Sequence, residues 1–220
     1  MIKIECTDVY GWEAAIRGMR NPMNSWDKSD SIFDFPDCYL CPHCDIEVPC
    51  ELMNCVVLGE NDLKLMKSLA KAGSDHGKFL RMINVTVDLT APLYWWKEFD
   101  TYKVGTVANS CSTMHKIHTK EFTLEDFSHE DLLSGSRLSL RMTIDVLNDA
   151  RTEFIKTKDK IYWKQMIQLL PTSYNQKRTV QMNYQVLKSM YHARKNHKLD
   201  EWHDFCAWCE TLPYFTEICI

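Results

Sequence analysis

At 220 residues the chain is long enough to bury about 70% of its unfolded surface, so it needs no disulfide or metal merely to fold. Its 45% hydrophobic and 25% charged residues are those of a globular protein and exclude a disordered or fibrous chain. The net charge of -4 argues against general binding of nucleic acid or membrane surfaces, although it leaves room for a local basic pocket.

The sequence predicts a soluble, cytoplasmic protein. Its N-terminus, MIKIECTDVYGWEAAIR, lacks the basic region, apolar run and cleavage site of a signal peptide. No stretch approaches the ~18 consecutive apolar residues of a membrane span. In the cytoplasm, the ten cysteines are expected to be thiols or metal ligands rather than a disulfide framework.

The first half of the chain alternates strands, helices and loops. Its patterns predict a strand at 2–6, a helix at 11–20, a helix at 60–73, a strand at 82–90 and a helix from Pro92 to Gly105. A Cys-rich loop excursion is expected at about 24–58. In the strand at 82–90 apolar and polar residues alternate strictly, so one face is buried and an antiparallel sheet is the expected setting.

The second half of the chain is predicted to be helical. Apolar residues at helical spacing predict helices at 136–158, 178–194 and 199–212, with a turn at 169–177. We see no repeat, linker or second core. The sequence therefore predicts a single α+β domain over residues 1–220, with a mixed or antiparallel central sheet and packed helices.

Cysteines form the first candidate site. Cys38, Cys41 and Cys44 are closely spaced in the excursion, and Cys206 and Cys209 are two residues apart near the C-terminus. Thiolates at such spacing can bind zinc in tetrahedral geometry. Two interpretations stay open, a structural zinc site and ordinary thiols in a loop.

The predicted helix at 178–194 carries the second candidate site. Asn183, Leu187, Met190 and Arg194 are spaced so that all four lie along one face. The two polar ends are about 16 Å apart at 1.5 Å per residue, a span that suits a ligand with two polar parts. A purely structural interpretation is also open, because the helix dipole favours Arg in a last turn.

The polar loop GTVANSCSTMHK, residues 105–116, is the third candidate site. It follows the most aromatic segment of the chain. Asn109, Ser110 and Ser112 offer short side-chain donors, and a polar turn exposes backbone N–H groups that can hold a phosphate. No GxxxxGK[ST] or GxGxxG pattern is present, which excludes a nucleoside-triphosphate loop and a dinucleotide fingerprint.

Residues 102–115, YKVGTVANSCSTMH, resemble the signature RHRxxSxNExSxRY of the flavin-dependent thymidylate synthases. Asn109 and Ser112 match the Asn and the second Ser of that signature. The departures are Tyr102, Lys103 and Val104 for Arg-His-Arg, Val107 for the first Ser, Ser110 for Glu, and Met114 and His115 for Arg-Tyr. At about 1.5 to 3 kcal/mol for each charge-assisted hydrogen bond, these losses weaken phosphate binding unless other cations replace them.

The C-terminal half is similar to the same family. The family has a Leu-Pro turn followed by NxRSLxxFxxLR, and the residues in register here are Leu170, Pro171, Asn183, Leu187 and Arg194, with Met190 for the Phe and Gln185 for the first Arg. His76, ahead of the strand at 82–90, resembles in its position a family His that lies beside the flavin, although its spacing to the motif is about six residues longer. The resemblance covers residues 60–200.

The resemblance implies a homotetrameric methyltransferase of dTMP biosynthesis that contains FAD. It implies a pyrimidine deoxynucleotide such as dUMP as substrate and a reduced folate as the methylene donor. Arg194 would be catalytic and would contact the pyrimidine, stabilising negative charge that develops there. The other implied site residues are Ser112 and Ser110 at the substrate, and Asn183, Asn109, His76 and Lys103 at the cofactor.

An enzyme is the leading hypothesis, and two alternatives stay open. One is a paralogue that modifies another pyrimidine nucleotide. The other is a non-catalytic, oligomeric binding module that keeps the fold and uses the Cys-rich loop as its contact surface.

Overall fold

The computed structural model describes residues 2–33 and 56–220. Most of the predicted Cys-rich excursion, including the zinc candidates Cys38, Cys41 and Cys44, lies outside the described residues. Within the two described ranges, no helix is both long and apolar enough to cross a lipid bilayer.

The described residues contain six strands and eight α-helices, besides short 3-10 helices. In chain order they are β1 (Lys3–Tyr10), α1 (Trp12–Arg20), β2 (Ile32–Phe33), β3 (Val56–Val57), α2 (Glu60–Lys71), β4 (Asn84–Pro92), α3 (Leu93–Phe99), β5 (Val107–Ser110), α4 (Ser134–Thr157), α5 (Lys160–Leu169), β6 (Asn175–Asn183), α6 (Tyr184–Arg194), α7 (Asp200–Thr211) and α8 (Phe215–Cys219).

The main sheet has four antiparallel strands in the order β1-β4-β6-β5. Along β4, the side chains of Val85, Val87 and Leu89 are fully buried, and the polar residues between them are half-buried. This is the alternation that the sequence predicts for a strand with one face in a core. The α+β prediction, with an antiparallel sheet and packed helices, is confirmed.

The predicted helix at 178–194 is wrong in its first third. Residues 178–183 belong to β6, and α6 begins only at Tyr184. In β6 the side chains of Gln176, Val180 and Met182 are buried in alternation with more exposed ones, which is a period of two. The β-branched Thr179 and Val180 also favour a strand. Helical spacing therefore cannot place Asn183 on the same helical face as Arg194.

The aromatic helix α3 is shorter than predicted, because it ends at Phe99 rather than near Gly105. Pro92 ends β4 and stands immediately before the helix. At the other end, the hydroxyl of Thr101 donates to the Glu98 carbonyl at 2.7 Å. The backbone N–H of Thr101 also donates to this carbonyl, at 3.1 Å, so the last turn closes in 3-10 geometry and the helix stops there.

The chain divides into two compact units, each built from separate segments of sequence. The first comprises Met1–Lys3, Asp88–Thr101 and Ala108–Thr179, and the second comprises Ile4–Val87, Tyr102–Val107 and Val180–Ile220. The single domain expected over residues 1–220 stays a prediction.

Each unit has its own apolar core. In the first unit, α4 packs on α5, and one cluster of buried residues comprises Ile117, Phe122, Phe127, Leu140, Ile144, Leu147, Ala150 and Met166. In the second unit, α6 packs on α7 and α8, and the largest buried side chains include Trp12, Met66, Tyr184, Leu187, Trp202, Phe205 and Phe215.

A buried ion pair in the second unit ties α1 to α2. Nε of Arg20 donates to Oδ1 of Asp62 at 2.6 Å, and the two side chains are 4% and 0% exposed. The other carboxylate oxygen, Oδ2, accepts from the hydroxyls of Ser29 and Ser31 and from the backbone N–H groups of Asp30 and Ser31. Asp62 therefore fixes both Arg20 and the chain segment at 29–31.

The hydrogen bonds to Asp62 affect its pKa more than its burial does. Burial alone would raise the pKa of this carboxyl, but donation from Ser31, Arg20, Ser29 and the Asp30 N–H lowers the pKa below the ordinary value of 3.8. Asp62 is thus ionised at neutral pH. Arg20 also donates to the carbonyls of Ser25 and Lys28. Both charges of the buried pair are therefore compensated by hydrogen bonds.

Candidate functional site

One group of predicted site residues lies along α6, in the second unit. Arg194, in the last turn of α6, donates from Nε to the hydroxyl of Tyr102 at 2.9 Å. Its guanidinium carbon lies 5.5 Å from the ring centroid of Tyr102 and 4.9 Å from that of Trp202. The faces of aromatic rings attract cations, so the two rings and the hydrogen bond orient the guanidinium. Tyr102, which replaces an Arg of the family signature, thus helps to position Arg194.

Asn183 lies at the opposite end of the same helix. It is the cap of α6, since its Oδ1 accepts the backbone N–H of Val186 at 3.1 Å. Gly105 packs on this first turn with a φ of +83°, and a Cβ there would lie 2.9 Å from Cγ2 of Val186 and 3.3 Å from Nδ2 of Asn183. The segment Tyr102–Val107 therefore contacts both ends of α6, and Gly105 is needed for its close approach.

Lys103 and His76 belong to the same unit as Arg194 and Asn183. Lys103 lies in the segment beside α6 and is exposed. His76 is also exposed, and it precedes the 3-10 turn Gly77–Arg81, which packs against α6. Arg194, Asn183, Lys103 and His76 thus belong to one unit, and their assigned roles stay predictions.

The second group of predicted residues lies in the first unit. Asn109 and Ser110 are exposed residues of the short strand β5, which the sequence did not predict. The hydroxyl of Ser112 accepts the backbone N–H groups of His115 and Met114, at 2.9 and 3.3 Å. The sequence predicts backbone N–H groups that are free to bind a phosphate, but these two are already bonded to Ser112. An anion would have to displace the Ser112 oxygen to reach them.

Sequence reasoning missed Arg178, which belongs to the first unit. Its guanidinium carbon lies 4.1 Å from the ring centroid of Trp96, and its two terminal nitrogens donate to the two carboxylate oxygens of Asp100, at 2.7 and 3.4 Å. Nε of Arg178 donates to Oε1 of Gln176 at 3.0 Å. The alternation of Gln176 and Arg178 on one side of a strand was the available signal, but the predicted helix at 178–194 concealed it.

Cysteines within the described residues do not form a metal site. No group of three or more His, Cys, Asp or Glu side chains in residues 2–33 and 56–220 is arranged to hold a metal ion. Burial raises the pKa of the Cys206 thiol to about 11 and that of Cys219 to about 12, and it raises the pKa of Cys209 well above its ordinary value. All three thiols are therefore neutral at pH 7 in the chain as described. The zinc prediction for Cys38, Cys41 and Cys44 lies outside the described residues.

The exposed and the buried cysteines of the described residues should differ sharply in their reactivity toward alkylating agents. At about pH 8, iodoacetamide should modify the exposed Cys6 and Cys111 in the folded chain and leave Cys206, Cys209 and Cys219 unmodified, because only an accessible thiolate is alkylated. Peptide mass spectrometry measures this. Modification of all five in urea is the control, and labelling of Cys209 in the folded protein would show that this thiol is not buried.

The fold is that of the flavin-dependent thymidylate synthases. The chain is similar, with a TM-score of 0.66 and 14% identity over 100% of its length, to thymidylate synthase X from Helicobacter pylori with FAD and dUMP, of which it covers 97%. A second structure of the Helicobacter pylori flavin-dependent enzyme, complexed with FAD and dUMP, gives a TM-score of 0.64 and 15% identity over 99% of both chains.

A nucleotide methylase has a related structure. The UMP/dUMP methylase PolB from Streptomyces cacaoi, bound to 5-Br dUMP, is similar with a TM-score of 0.54 and 13% identity, over 86% of this chain and 75% of PolB. The sequence itself matches no protein-family model and no curated protein. The likeness is therefore one of fold.

Proposed function

We propose that this protein binds a pyrimidine deoxynucleotide such as dUMP together with FAD, and methylates the pyrimidine at C5. The observation that carries the proposal is the likeness of fold, over the whole chain, to a thymidylate synthase whose structure contains FAD and dUMP. A reduced folate would supply the methylene group, and the flavin, once reduced by an external two-electron donor, would supply the hydride that completes the methyl group.

Arg194 is the residue to which we assign the chemistry. For C5 of a pyrimidine to attack a methylene group, negative charge must develop on the ring and its carbonyl oxygens. A guanidinium whose orientation is already fixed by Tyr102 and Trp202 can stabilise that charge without rearranging during the reaction.

The remaining predicted residues suit the polar parts of the ligands. Ser110 and Ser112 offer hydroxyl groups for a phosphate in the first unit, and Lys103 offers a cation in the second. Asn183 keeps an amide nitrogen beside Gly105 while its oxygen caps α6. We assign Asn183, Asn109, His76 and Lys103 to the cofactor, and this donor set of amides, imidazole and cation fits the polar atoms of a flavin nucleotide. A homotetramer in the cytoplasm is part of the same proposal.

The absorption spectrum of the purified protein tests the proposal. We expect a flavin band near stoichiometric with the chain, either as isolated or after incubation with FAD. Calorimetry should then show binding of dUMP to the FAD-loaded protein, with UMP as the comparison nucleotide. A colourless protein that takes up no FAD and binds neither nucleotide would overturn the proposal.

Two observations favour the alternatives. The likeness to a UMP/dUMP methylase supports a paralogue with another pyrimidine substrate, and preferential binding of UMP would identify it. The uncharged turn after β5, in which Ser112 occupies two backbone amides, supports a binding module without catalysis. Binding of FAD and dUMP without methylation, in the presence of a reduced folate and of a reductant for the flavin, would identify the module.

A further inference from the structure

Cys111 directly follows β5, between two residues that we assign to the substrate, Ser110 and Ser112. Its backbone is held on both sides by β6. The Cys111 N–H donates to the carbonyl of Lys177 at 2.9 Å, and its carbonyl accepts from Nε2 of Gln176 at 2.7 Å. The first bond continues the pairing of two strands, whereas the second depends on one side chain.

Gln176 is 6% exposed, and its amide cannot rotate freely. Arg178 has only donors, so the atom that faces its Nε must be the amide oxygen of Gln176. Once the oxygen is held there, the amide NH2 is directed to the carbonyl of Cys111. The backbone of Gln176 is fixed as well, because the indole Nε1 of Trp96 donates to its carbonyl at 2.9 Å.

Arg178 is itself held on two sides. The ring of Trp96 lies 4.1 Å from its guanidinium carbon, and Asp100 accepts from both terminal nitrogens. The side chain of Arg178 is 14% exposed. A planar guanidinium that stacks on a ring and forms a two-pronged pair with a carboxylate has one favoured orientation. A continuous series of contacts therefore runs from Asp100 through Arg178 and Gln176 to the Cys111 carbonyl.

The far side of the turn is also anchored. The indole Nε1 of Trp163 in α5 donates to the carbonyl of Met114 at 2.8 Å. Between these two anchors, the hydroxyl of Ser112 bonds the amides of Met114 and His115. Apart from Ser112, the side chains that fix the turn 111–115 are ones that the family signature does not include.

We propose that Gln176, oriented by Arg178, is a positioning residue for the substrate-binding turn that follows β5. The proposal rests on the proposed function. This turn lacks the Arg and Glu of the family signature, so its affinity for a phosphate depends on hydroxyl and amide groups. Neutral donors bind more weakly than charged ones, so their placement before binding contributes more of the affinity.

Two variants of Gln176 separate its contacts. Gln176→Glu keeps an acceptor for Arg178 and removes the donor to Cys111, whereas Gln176→Met removes both contacts without burying a charge. Gln181→Glu is the matched control, since Gln181 is in the same strand and its Nε2 donates to the Tyr10 hydroxyl at 2.6 Å. Arg178→Lys keeps the charge but loses the two-pronged geometry.

Hydrogen exchange of a peptide over 107–115 reports the position of the turn, and dUMP affinity reports its role. For both Gln176 variants we expect exchange about two- to tenfold faster and a dUMP Kd about two- to tenfold higher, the range expected for one lost hydrogen bond. FAD content and Tm should stay close to wild type, and a smaller shift is expected for Arg178→Lys. Gln181→Glu should change neither quantity.

Failure of the proposal differs from failure of the proposed function. Unchanged exchange in both Gln176 variants would overturn it, and so would faster exchange with an unchanged dUMP Kd, although nucleotide binding would then stand. If the wild-type protein bound no pyrimidine nucleotide, the proposed function and the substrate role of the turn would both fail. Faster hydrogen exchange in the Gln176 variants would then still show that Gln176 positions the turn.

Discussion

Replacing Asp62 with Ala is expected to lower the free energy of unfolding by about 3–5 kcal/mol, the cost of leaving one charge of a buried pair without its partner. The guanidinium of Arg20 would keep only its carbonyl and hydroxyl acceptors at Ser25 and Lys28. The hydroxyls of Ser29 and Ser31 would also lose their acceptor. Urea unfolding followed by circular dichroism measures the change.

Two further variants test the cause. Asp62→Asn keeps the shape and one acceptor oxygen, so it should destabilise less than Asp62→Ala. Glu60→Gln, an exposed acid on the same helix, should change stability by less than about 0.5 kcal/mol. If Asp62→Ala and Glu60→Gln had equal effects, the buried pair would not stabilise the fold.

Because of the same carboxylate, we expect the free energy of unfolding to fall in acid. The pKa of Asp62 is lowered in the folded chain, so the unfolded state binds the proton more tightly. The stability from this group is present above the ordinary aspartate pKa of 3.8 and is lost as pH falls through the lower folded value. Below about pH 4, the free energy of unfolding should therefore fall more steeply with pH in the wild-type protein than in the Asp62→Asn variant.

Replacing Arg194 with Ala is expected to lower kcat/KM for dUMP methylation by about 100-fold, the usual cost of removing one preorganised group that stabilises transition-state charge. The loss follows from the assigned role of Arg194, and steady-state kinetics of the FAD-loaded protein measure it. FAD content must be measured in parallel, because a variant that lost the cofactor would be inactive for another reason.

A graded series identifies which property of Arg194 matters. Arg194→Lys keeps the charge but cannot reproduce the planar guanidinium between Tyr102 and Trp202, so it should recover only part of the activity. Tyr102→Phe keeps the ring and loses only the 2.9 Å hydrogen bond, so a loss of about fivefold is expected. Arg141→Ala, which removes an exposed cation from α4, is the control and should leave activity unchanged.

Wild-type activity in Arg194→Ala would exclude the catalytic role. An equal, large loss in Tyr102→Phe would mean that the tyrosine does more than orient the guanidinium. Both results are distinct from a general failure of the fold, because the Tm of each variant can be compared with that of Arg141→Ala.

Hydrophobic periodicity was sufficient to predict the secondary structure of segments in which one pattern dominated. The alternation in β4, the apolar spacing of α4 and the amphipathic α7 follow from burying one face, which depends mainly on local sequence. Periodicity was insufficient at 178–183, where apolar residues fit both a period of two and the start of a helix. Pairing with neighbouring strands decided that segment, and such pairing joins residues far apart in the chain.

The sequence by itself determined the class of fold and the residues, Arg194 and Asn183 among them, that resemble a known site. Only the tertiary structure decided what holds them: Tyr102 beside Arg194, Gly105 beside Asn183, and Gln176 on the carbonyl of Cys111. The partners of Arg194 and Cys111 lie 92 and 65 residues away in sequence. No local pattern encodes such contacts, because they form only when the whole chain buries its apolar surface and brings distant polar groups within hydrogen-bonding distance.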